Sequence, residues 1–366
     1  MLRAGIVGLP NTGKTTLFNA VTAQSSALIA NYAFATTKAN VGVVTVPDER
    51  LAPLAKIVKS NVLVPASVEF VDIAGLVRGS SKGEGLGNQF LASIRETDTM
   101  IQVVRCFENE SVVHVDGTID PRRDIETIQI ELALADLATV ERRRERVQKT
   151  AKGGEKAARA EIEVLDKLQP ELEEFRPARG VSLNEDERAI ARNYFLLTMK
   201  PTIYAANVNE SILSAIDENA QVRVIREVAK SEGAECLVIC AQLEADMVEL
   251  SPEERRQYLE SLGVASSGVD QLIKSAYRIL GLMSFLTAGE KEVRAWTIPQ
   301  NSRAQDAAGT IHSDIARGFI RAEVIGYQDL LRVGSYAAAR EQGLLRLEGK
   351  DYIMQEGDVV HFRFNV

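Results

Sequence analysis

Short β-branched runs alternate with stretches of helical period through the first hundred residues or so and again beyond residue 200. On that pattern strands are predicted at Arg3–Gly8, Val41–Val46, Val68–Ile73, Thr99–Arg105, Thr202–Ala206 and Cys236–Cys240. Helices are predicted at Lys14–Ala23, Leu86–Glu96, Val222–Glu232 and Pro252–Leu262. Strands interleaved with helices in this way form a parallel sheet with crossover connections, the α/β class. Between the fourth and fifth strands the alternation stops. Ile128, Leu132, Ala135 and Val140 recur at roughly helical spacing, as do Ile162, Leu165, Leu168 and Leu172,. Two such stripes, joined near Gly153–Gly154, predict an antiparallel coiled-coil hairpin,. After Gly281 the texture changes again: "EVRAWTIP", "AEVIGY" and "YIMQEGDVVHFRFNV" read as a small sheet, crossed by one helix at "AAGTIHSDIARGFI". Three parts follow: an α/β domain from 1–125 and 198–281, a helical insertion over 126–197, and a C-terminal domain over 282–366.

The chemistry is concentrated at the first strand–helix junction. Gly8-x-x-x-x-Gly13-Lys14-Thr15 follows an apolar strand and opens a helix, the context a phosphate-binding loop requires,. Its glycines let backbone N–H groups turn inward around phosphates, Lys14 brings a point charge to the β- and γ-phosphates, and the Thr15 hydroxyl is a Mg²⁺ ligand. The helix N-terminus adds its own partial positive charge. The loop residues Asn11, Thr12, Gly13, Lys14, Thr15 and Thr16 are therefore the expected phosphate contacts. Asp72 ends the third strand in "VDIAG", where an Asp-x-x-Gly pattern would hold Mg²⁺ through water and let the Gly75 N–H sense the γ-phosphate,. A metal-binding threonine is expected between these motifs, and "NYAFATTKANVG" offers Thr36, with Thr37 as its competitor.

Composition sets limits rather than a function. The 366 residues suggest two or three domains, and 45% hydrophobic with 26% charged residues is ordinary for a globular chain,. A net charge of −8 argues against a uniformly basic nucleic-acid binder, and no DNA partner is expected,. The absence of an apolar run of about 18 residues and of a signal-peptide layout leads to a cytoplasmic expectation, without membrane contact. Cys106, Cys236 and Cys240 make neither a disulfide framework nor a zinc set and read as core residues,. His114, His312 and His361 lie outside the motifs and read as structural or surface residues. One local basic patch stands out at the hairpin tip, where Arg142, Arg143, Arg144, Arg146, Lys149, Lys152, Lys156 and Arg159 outnumber Glu141, Glu145 and Glu155. It reads either as a solvated helix surface or as a contact for an RNA backbone.

Taken together, "GLPNTGKTTLFNA", "NYAFATTKANVG", "VDIAGLVRGSSKGEGLGNQFL", "NVNE" and the C-terminal segment resemble the YchF/Obg-like ATPase family over essentially the whole chain. The resemblance implies a Ras-like P-loop domain of the translation-factor class, a coiled-coil insertion and a C-terminal TGS domain of β-grasp fold. It also implies association with ribosomes or ribosomal RNA, in translation or stress responses. The chain departs from the family at its first switch, commonly Asn-Tyr-Pro-Phe-Cys-Thr, which here has Ala33 and Ala35. Family members have been described as redox-regulated, and Ala35 cannot carry that chemistry.

Two further positions bear on the reaction. Guanine-reading relatives of the fold carry Asn-Lys-x-Asp after the fifth strand; here the sequence is Asn207-Val208-Asn209-Glu210. Glu210 is longer by one methylene and Val208 cannot supply the Lys stem, so guanine discrimination should fall. Adenine could be met by the Asn207 amide or nearby backbone, with Ala241 and Gln242 lining the base pocket. ATP is thus expected over GTP, with GTP still bound. Leu76 stands where Ras-like enzymes place a water-orienting Gln, so hydrolysis should be slow alone,. Either K⁺ held near Asn11, whose bland reading is a loop hydrogen bond, or a partner such as the ribosome would relieve this. The alternatives are a GTPase of the same architecture and a nucleotide-sensing adaptor with negligible turnover.

Overall fold

The computed structural model describes residues 2–29, 40–75, 86–109, 111–151 and 156–365. Thr36, Thr37, Ala33, Ala35, Leu76, Lys152, Glu155 and the Gly153–Gly154 joint lie outside them. The elements run β1 (Arg3–Val7), α1 (Lys14–Ile29), β2 (Val41–Thr45), α2 (Leu51–Val58), β3 (Leu63–Val64), β4 (Ser67–Asp72), α3 (Leu86–Arg95) and β5 (Thr99–Cys106). Then come α4 (Pro121–Ala151), α5 (Lys156–Glu173), α6 (Glu185–Arg192), β6 (Thr202–Val208), α7 (Ala220–Ser231), β7 (Glu235–Ile239), α8 (Ala241–Asp246), α9 (Pro252–Ser261) and α10 (Gly268–Ile279). The last part holds β8 (Leu282–Ala288), β9 (Val293–Pro299), α11 (Ala304–Ile311), α12 (Ser313–Arg317), β10 (Phe319–Gly326), α13 (Tyr327–Val333), α14 (Tyr336–Glu341), β11 (Arg346–Glu348) and β12 (Asp358–Phe364).

Six strands in the order β2-β4-β1-β5-β6-β7 make the first sheet. Its β1–β4, β1–β5, β5–β6 and β6–β7 pairs are parallel, as the alternating pattern predicts. Every residue of β5 and β6 is buried, which is why both read as near-continuous apolar runs: helices cover both faces of these central strands,. The chain divides into two compact units, one of residues 1–43 and 69–272, the other of residues 44–68 and 273–366.

Helix α4 is 31 residues long, about 46 Å at 1.5 Å per residue,. Its apolar stripe serves two partners in turn. Ile128 and Leu132 pack with Phe90, Leu91 and Ile94 of α3 on the sheet, with Ala135 half-buried beside them. Further out, Ala133 and Val140 pack with Val164, Leu165, Leu168 and Leu172 of α5. The hairpin core therefore starts later along α4 than the stripe alone suggests, and Val164 rather than Ile162 is the fully buried residue of that turn. The root is fastened by Asp136, 0% exposed, whose carboxylate accepts the Leu197 N–H (2.8 Å), the Thr198 N–H (2.7 Å) and the Thr198 hydroxyl (2.7 Å).

In the second unit the strand order is β11-β10-β12-β8-β9-β3, with β8 and β12 parallel and β8–β9 and β10–β12 antiparallel. Residues 44–68 contribute its edge strand, β3, so this sheet is not built from the C-terminal segment alone. The stretch read as one helix is two. His312 adopts an extended backbone (φ −161°, ψ 142°) and its side chain accepts the Asp314 N–H, ending α11 and capping α12. Ala304, Ala307 and Ala308 of α11 pack with Phe285, Ile298 and Phe362, and small residues let the helix lie close to the sheet.

Candidate functional site

Where β1 ends, the chain turns over Leu9–Gly13 and enters α1 at Lys14. Asn11 takes a left-handed backbone (φ 62°), a conformation Asn tolerates better than most residues,. Gly13 has φ 91°, and a Cβ there would lie 2.3 Å from the Asn207 amide nitrogen, so only glycine fits,. The Lys14 ammonium and the Thr12 hydroxyl both donate to the Leu9 carbonyl, at 2.7 and 3.0 Å, and fold the loop onto itself. Burial pulls the Lys14 pKa down to about 8, against the opposing pull of Asp72.

Asp72, at the end of β4, faces this loop. Its carboxylate accepts the Thr15 hydroxyl at 3.1 Å. Burial raises the Asp72 pKa, while the Thr15 hydrogen bond and the Lys14 charge resist the rise. A hydroxyl and a carboxylate on adjoining elements, with a lysine behind them, are the hard oxygen donors and charge balance that suit Mg²⁺ beside a polyphosphate. Gly75 completes the group: a Cβ there would come within 3.2 Å of the Lys14 nitrogen and 3.4 Å of the Pro10 nitrogen.

A cleft of about 410 Å³ opens beside the loop, within the range of small-molecule sites,. Of the residues expected from sequence, Asn11, Gly13, Lys14, Thr15, Thr16, Asn207, Val208, Ala241 and Gln242 line it. Thr12 is turned inward and 1% exposed. Glu210 is elsewhere: it lines a neighbouring cavity of about 680 Å³ that shares Asn209 and Gln242 with the cleft, and its carboxylate accepts the Tyr258 hydroxyl at 3.0 Å. Asn207, 5% exposed, is a strut. Its amide donates to the Thr12 carbonyl (2.9 Å) and its oxygen accepts the Ala241 N–H (3.0 Å), so β6 ties the phosphate loop to the start of α8.

Part of the lining was not anticipated. Phe107, Asn109 and Val112, on the segment that follows β5, also line the cleft. That segment carries no glycine motif or repeated pattern, and the only hint in the sequence is its place at the carboxyl end of a central strand. All three cysteines belong to one hydrophobic cluster under β6 and β7, with burial as the main influence on each thiol. Cys106 and Cys240 are raised above the ordinary thiol range and Cys236 is pushed up to about 11, so none is a ready thiolate,.

A family model described as "50S ribosome-binding GTPase" matches residues 3–135, and the model YchF-GTPase_C, described as a protein of unknown function (DUF933), matches residues 282–365. The "Ribosome-binding ATPase YchF" of Bacillus subtilis (strain 168) is 52% identical, over 100% of this chain and 100% of the relative. The protein of the same name from Pasteurella multocida (strain Pm70) is 51% identical, over 100% of this chain and 99% of its own. The solved "Structure of the Schizosaccharomyces pombe YchF GTPase" superposes with a TM-score of 0.89 at 35% identity, covering 99% of this chain and 97% of that one. With the Gly8–Thr15 loop, Asn207, Val208 and Asn209 beside one cleft, Asp72 bonded to Thr15, and full-length identity at this level, the chain belongs to the YchF family.

Proposed function

We propose that this chain is a Mg²⁺-dependent nucleoside triphosphatase that prefers ATP and acts on the ribosome. The observation that carries the reading is the meeting of Asp72 and Gly75 with Thr15 and Lys14, two residues that line a cleft of nucleotide size. Mg²⁺, when bound, would offset the charge of the β- and γ-phosphates; Thr15 and Asp72 would hold it, with Thr36 as the third expected group. The Lys14 ammonium exchanges the Leu9 carbonyl for phosphate oxygens, and the Gly75 N–H is the γ-phosphate sensor,. Thr12 and Gly13 shape the loop, Asn11 and Thr16 flank it, and Val208, Ala241 and Gln242 face the base.

The preference for ATP rests on what the base side lacks. A guanine-specific site needs a carboxylate aimed at the base, but Glu210 is engaged with Tyr258 outside the cleft. Without that bidentate contact, discrimination for guanine drops by orders of magnitude. The bacterial relatives are named ATPases and the S. pombe structure is titled a GTPase, so the base preference is the point to measure.

Ribosome binding is inferred from the relatives' names together with two surfaces. On the hairpin, Arg143 and Arg144 are paired with Glu161 and Asp166, while Arg146, Lys149, Lys156 and Arg159 are exposed and available to an RNA backbone,. The C-terminal sheet, with its parallel β8–β12 pair and α11 packed against it, has the arrangement expected of a TGS-type β-grasp module. The cytoplasm is the corresponding location, and among the described residues no helix is long and apolar enough to cross a membrane.

Calorimetry with ATP and GTP in Mg²⁺, then turnover in K⁺ and in Na⁺ with and without ribosomes, tests the proposal. Tighter ATP binding and ribosome-stimulated turnover are expected. Tighter GTP binding would make it a GTPase of the same build; binding without turnover would make it an adaptor, with Leu76 as the reason. Faster turnover in K⁺ would bring that ion to Asn11.

A further inference from the structure

Glu210 stands two residues past the end of β6, on the base side of the cleft, yet its carboxylate lies outside. Its backbone is held. Asn209 is extended (φ −75°, ψ 153°), and in the 3₁₀ stretch Glu210–Glu218 the side chains of Ile212, Leu213 and Ile216 pack on the cluster of Val208, Cys240 and Leu259. What remains free to move is the Glu210 side chain. Its partner is presented by α9, which opens with a capping box between Ser251 and Glu254 and is anchored by Leu259 in the same cluster,. From the residue before Leu259, the Tyr258 hydroxyl donates to the Glu210 carboxylate at 3.0 Å. That bond is the first cause of a raised Tyr258 pKa, so the hydroxyl keeps the proton it donates,.

Little else draws the carboxylate to that place. The cavity it lines also holds Asp246, a like charge. Among the described residues no cation pairs with Glu210. The Gln242 amide lines both cavity and cleft, but it donates to Asp246 at 2.8 Å. Asn209, the chain neighbour of Glu210, also lines both spaces, so they adjoin at the root of the Glu210 side chain.

We propose that Tyr258 is a positioning residue for base selection: its hydroxyl holds the Glu210 carboxylate outside the cleft and so disfavours GTP. The chemistry sets the sign. Guanine presents two N–H donors, at N1 and N2, which a carboxylate accepts together. Adenine presents a lone pair at N1, which a carboxylate repels. With Tyr258 unable to donate, Glu210 turns toward the base by rotation about its side-chain bonds, and GTP gains at the expense of ATP. Tyr258 touches no nucleotide in this account and acts through Glu210. The inference rests on the cleft being the nucleotide site with its base end at Val208, Ala241 and Gln242, and wild-type binding tests that reading separately.

The test compares Tyr258→Phe, Glu210→Ala and the double variant with the wild type, each by calorimetry with Mg²⁺·ATP and with Mg²⁺·GTP. Tyr258 is 36% exposed and Phe keeps its ring, so the fold is spared and only the donor is lost. A hydrogen bond to a charged group biases a side chain by about tenfold, less where water competes, so Tyr258→Phe should raise the GTP-to-ATP affinity ratio about three- to tenfold. Glu210→Ala alone should leave the ratio within about twofold of the wild type, because the carboxylate is already outside the cleft. The double variant should return to that value. An unchanged ratio in Tyr258→Phe, or equal weakening of both nucleotides, overturns the proposal, as does a shift that survives the loss of Glu210. A wild type that binds neither nucleotide removes the reading of the cleft, and this inference with it, before any variant is compared.

Discussion

Replacing Asn207 by Ala separates two roles that share one side chain. If Asn207 reads the base, its loss should alter the ratio of ATP to GTP affinity. If it is the strut described above, both nucleotides should suffer alike. The substitution removes two hydrogen bonds and leaves the Thr12 carbonyl and the Ala241 N–H buried without them. Each net bond is worth about 1 kcal/mol and each stranded group costs about 1–3 kcal/mol, so a loss of about 2–4 kcal/mol is reasonable after partial relaxation. For a unit of this size 1 kcal/mol shifts the melting midpoint by about 2–4 °C, which puts the expected drop near 5–15 °C. Part of the cost reappears in binding, because the bound loop must be aligned again. With 1.4 kcal/mol per factor of ten, each nucleotide should bind about tenfold more weakly. Thermal melting followed by calorimetry with both nucleotides measures all three quantities. A variant that melts normally, or one whose ATP-to-GTP ratio shifts several-fold, would refute the strut.

Other outcomes are as specific. Asp72→Asn should keep most nucleotide binding and lose turnover by about two orders of magnitude or more, read as phosphate release against nucleotide affinity. Nucleotide binding should be accompanied by proton uptake above about pH 8. Free Lys14 loses its proton near there and phosphates favour its charged form, so affinity falls as pH rises and the binding enthalpy depends on the buffer,. In the protein without nucleotide the same group works the other way: its folded pKa lies below the ordinary 10.5, so its contribution to stability rises between about pH 8 and 10.5 and is smallest below that window,. Asp136→Ala should lower stability by about 2–4 kcal/mol in urea unfolding, because three donors lose a buried acceptor,. Charge reversal at Arg146 and Lys149 should weaken ribosome binding and flatten the log–log salt slope by about 0.7–0.9 for each phosphate no longer neutralised; an unchanged slope would mark the tip as plain solvated surface.

What could be read in advance follows from the range of the signals. The phosphate loop was legible because its requirements are local: a strand before, a helix after, and glycine where only glycine fits, as at Gly13. The parallel sheet was legible for a similar reason, since β5 and β6 are buried throughout and leave no alternation to confuse with an exposed strand. Glu210 and Asn207 were harder. A motif gives the order of side chains after β6 but not their aim, and the carboxylate turns toward Tyr258 on α9, far along the chain. The wall residues Phe107, Asn109 and Val112 carry no motif, and the small strand β3 depends on β9, more than two hundred residues away in sequence. The stripe on α4 reads as one surface but is two, because helical period reports which residues are apolar and not what they face.

The excursion of residues 44–68 into the second unit has a consequence for how the protein is made. These residues emerge early in synthesis, yet the rest of their unit begins at residue 273, some two hundred residues later. At about 5–20 residues per second that is a wait of roughly 10–40 s. Throughout it Leu51 and Leu54 of α2, 4% and 0% exposed in the finished fold, have no core to enter, and β3 has no strand to join. A fragment ending at 281 would make that wait permanent. Until the last quarter of the chain appears that apolar surface has nowhere to be buried, and shortened versions should be judged first by whether they stay in solution.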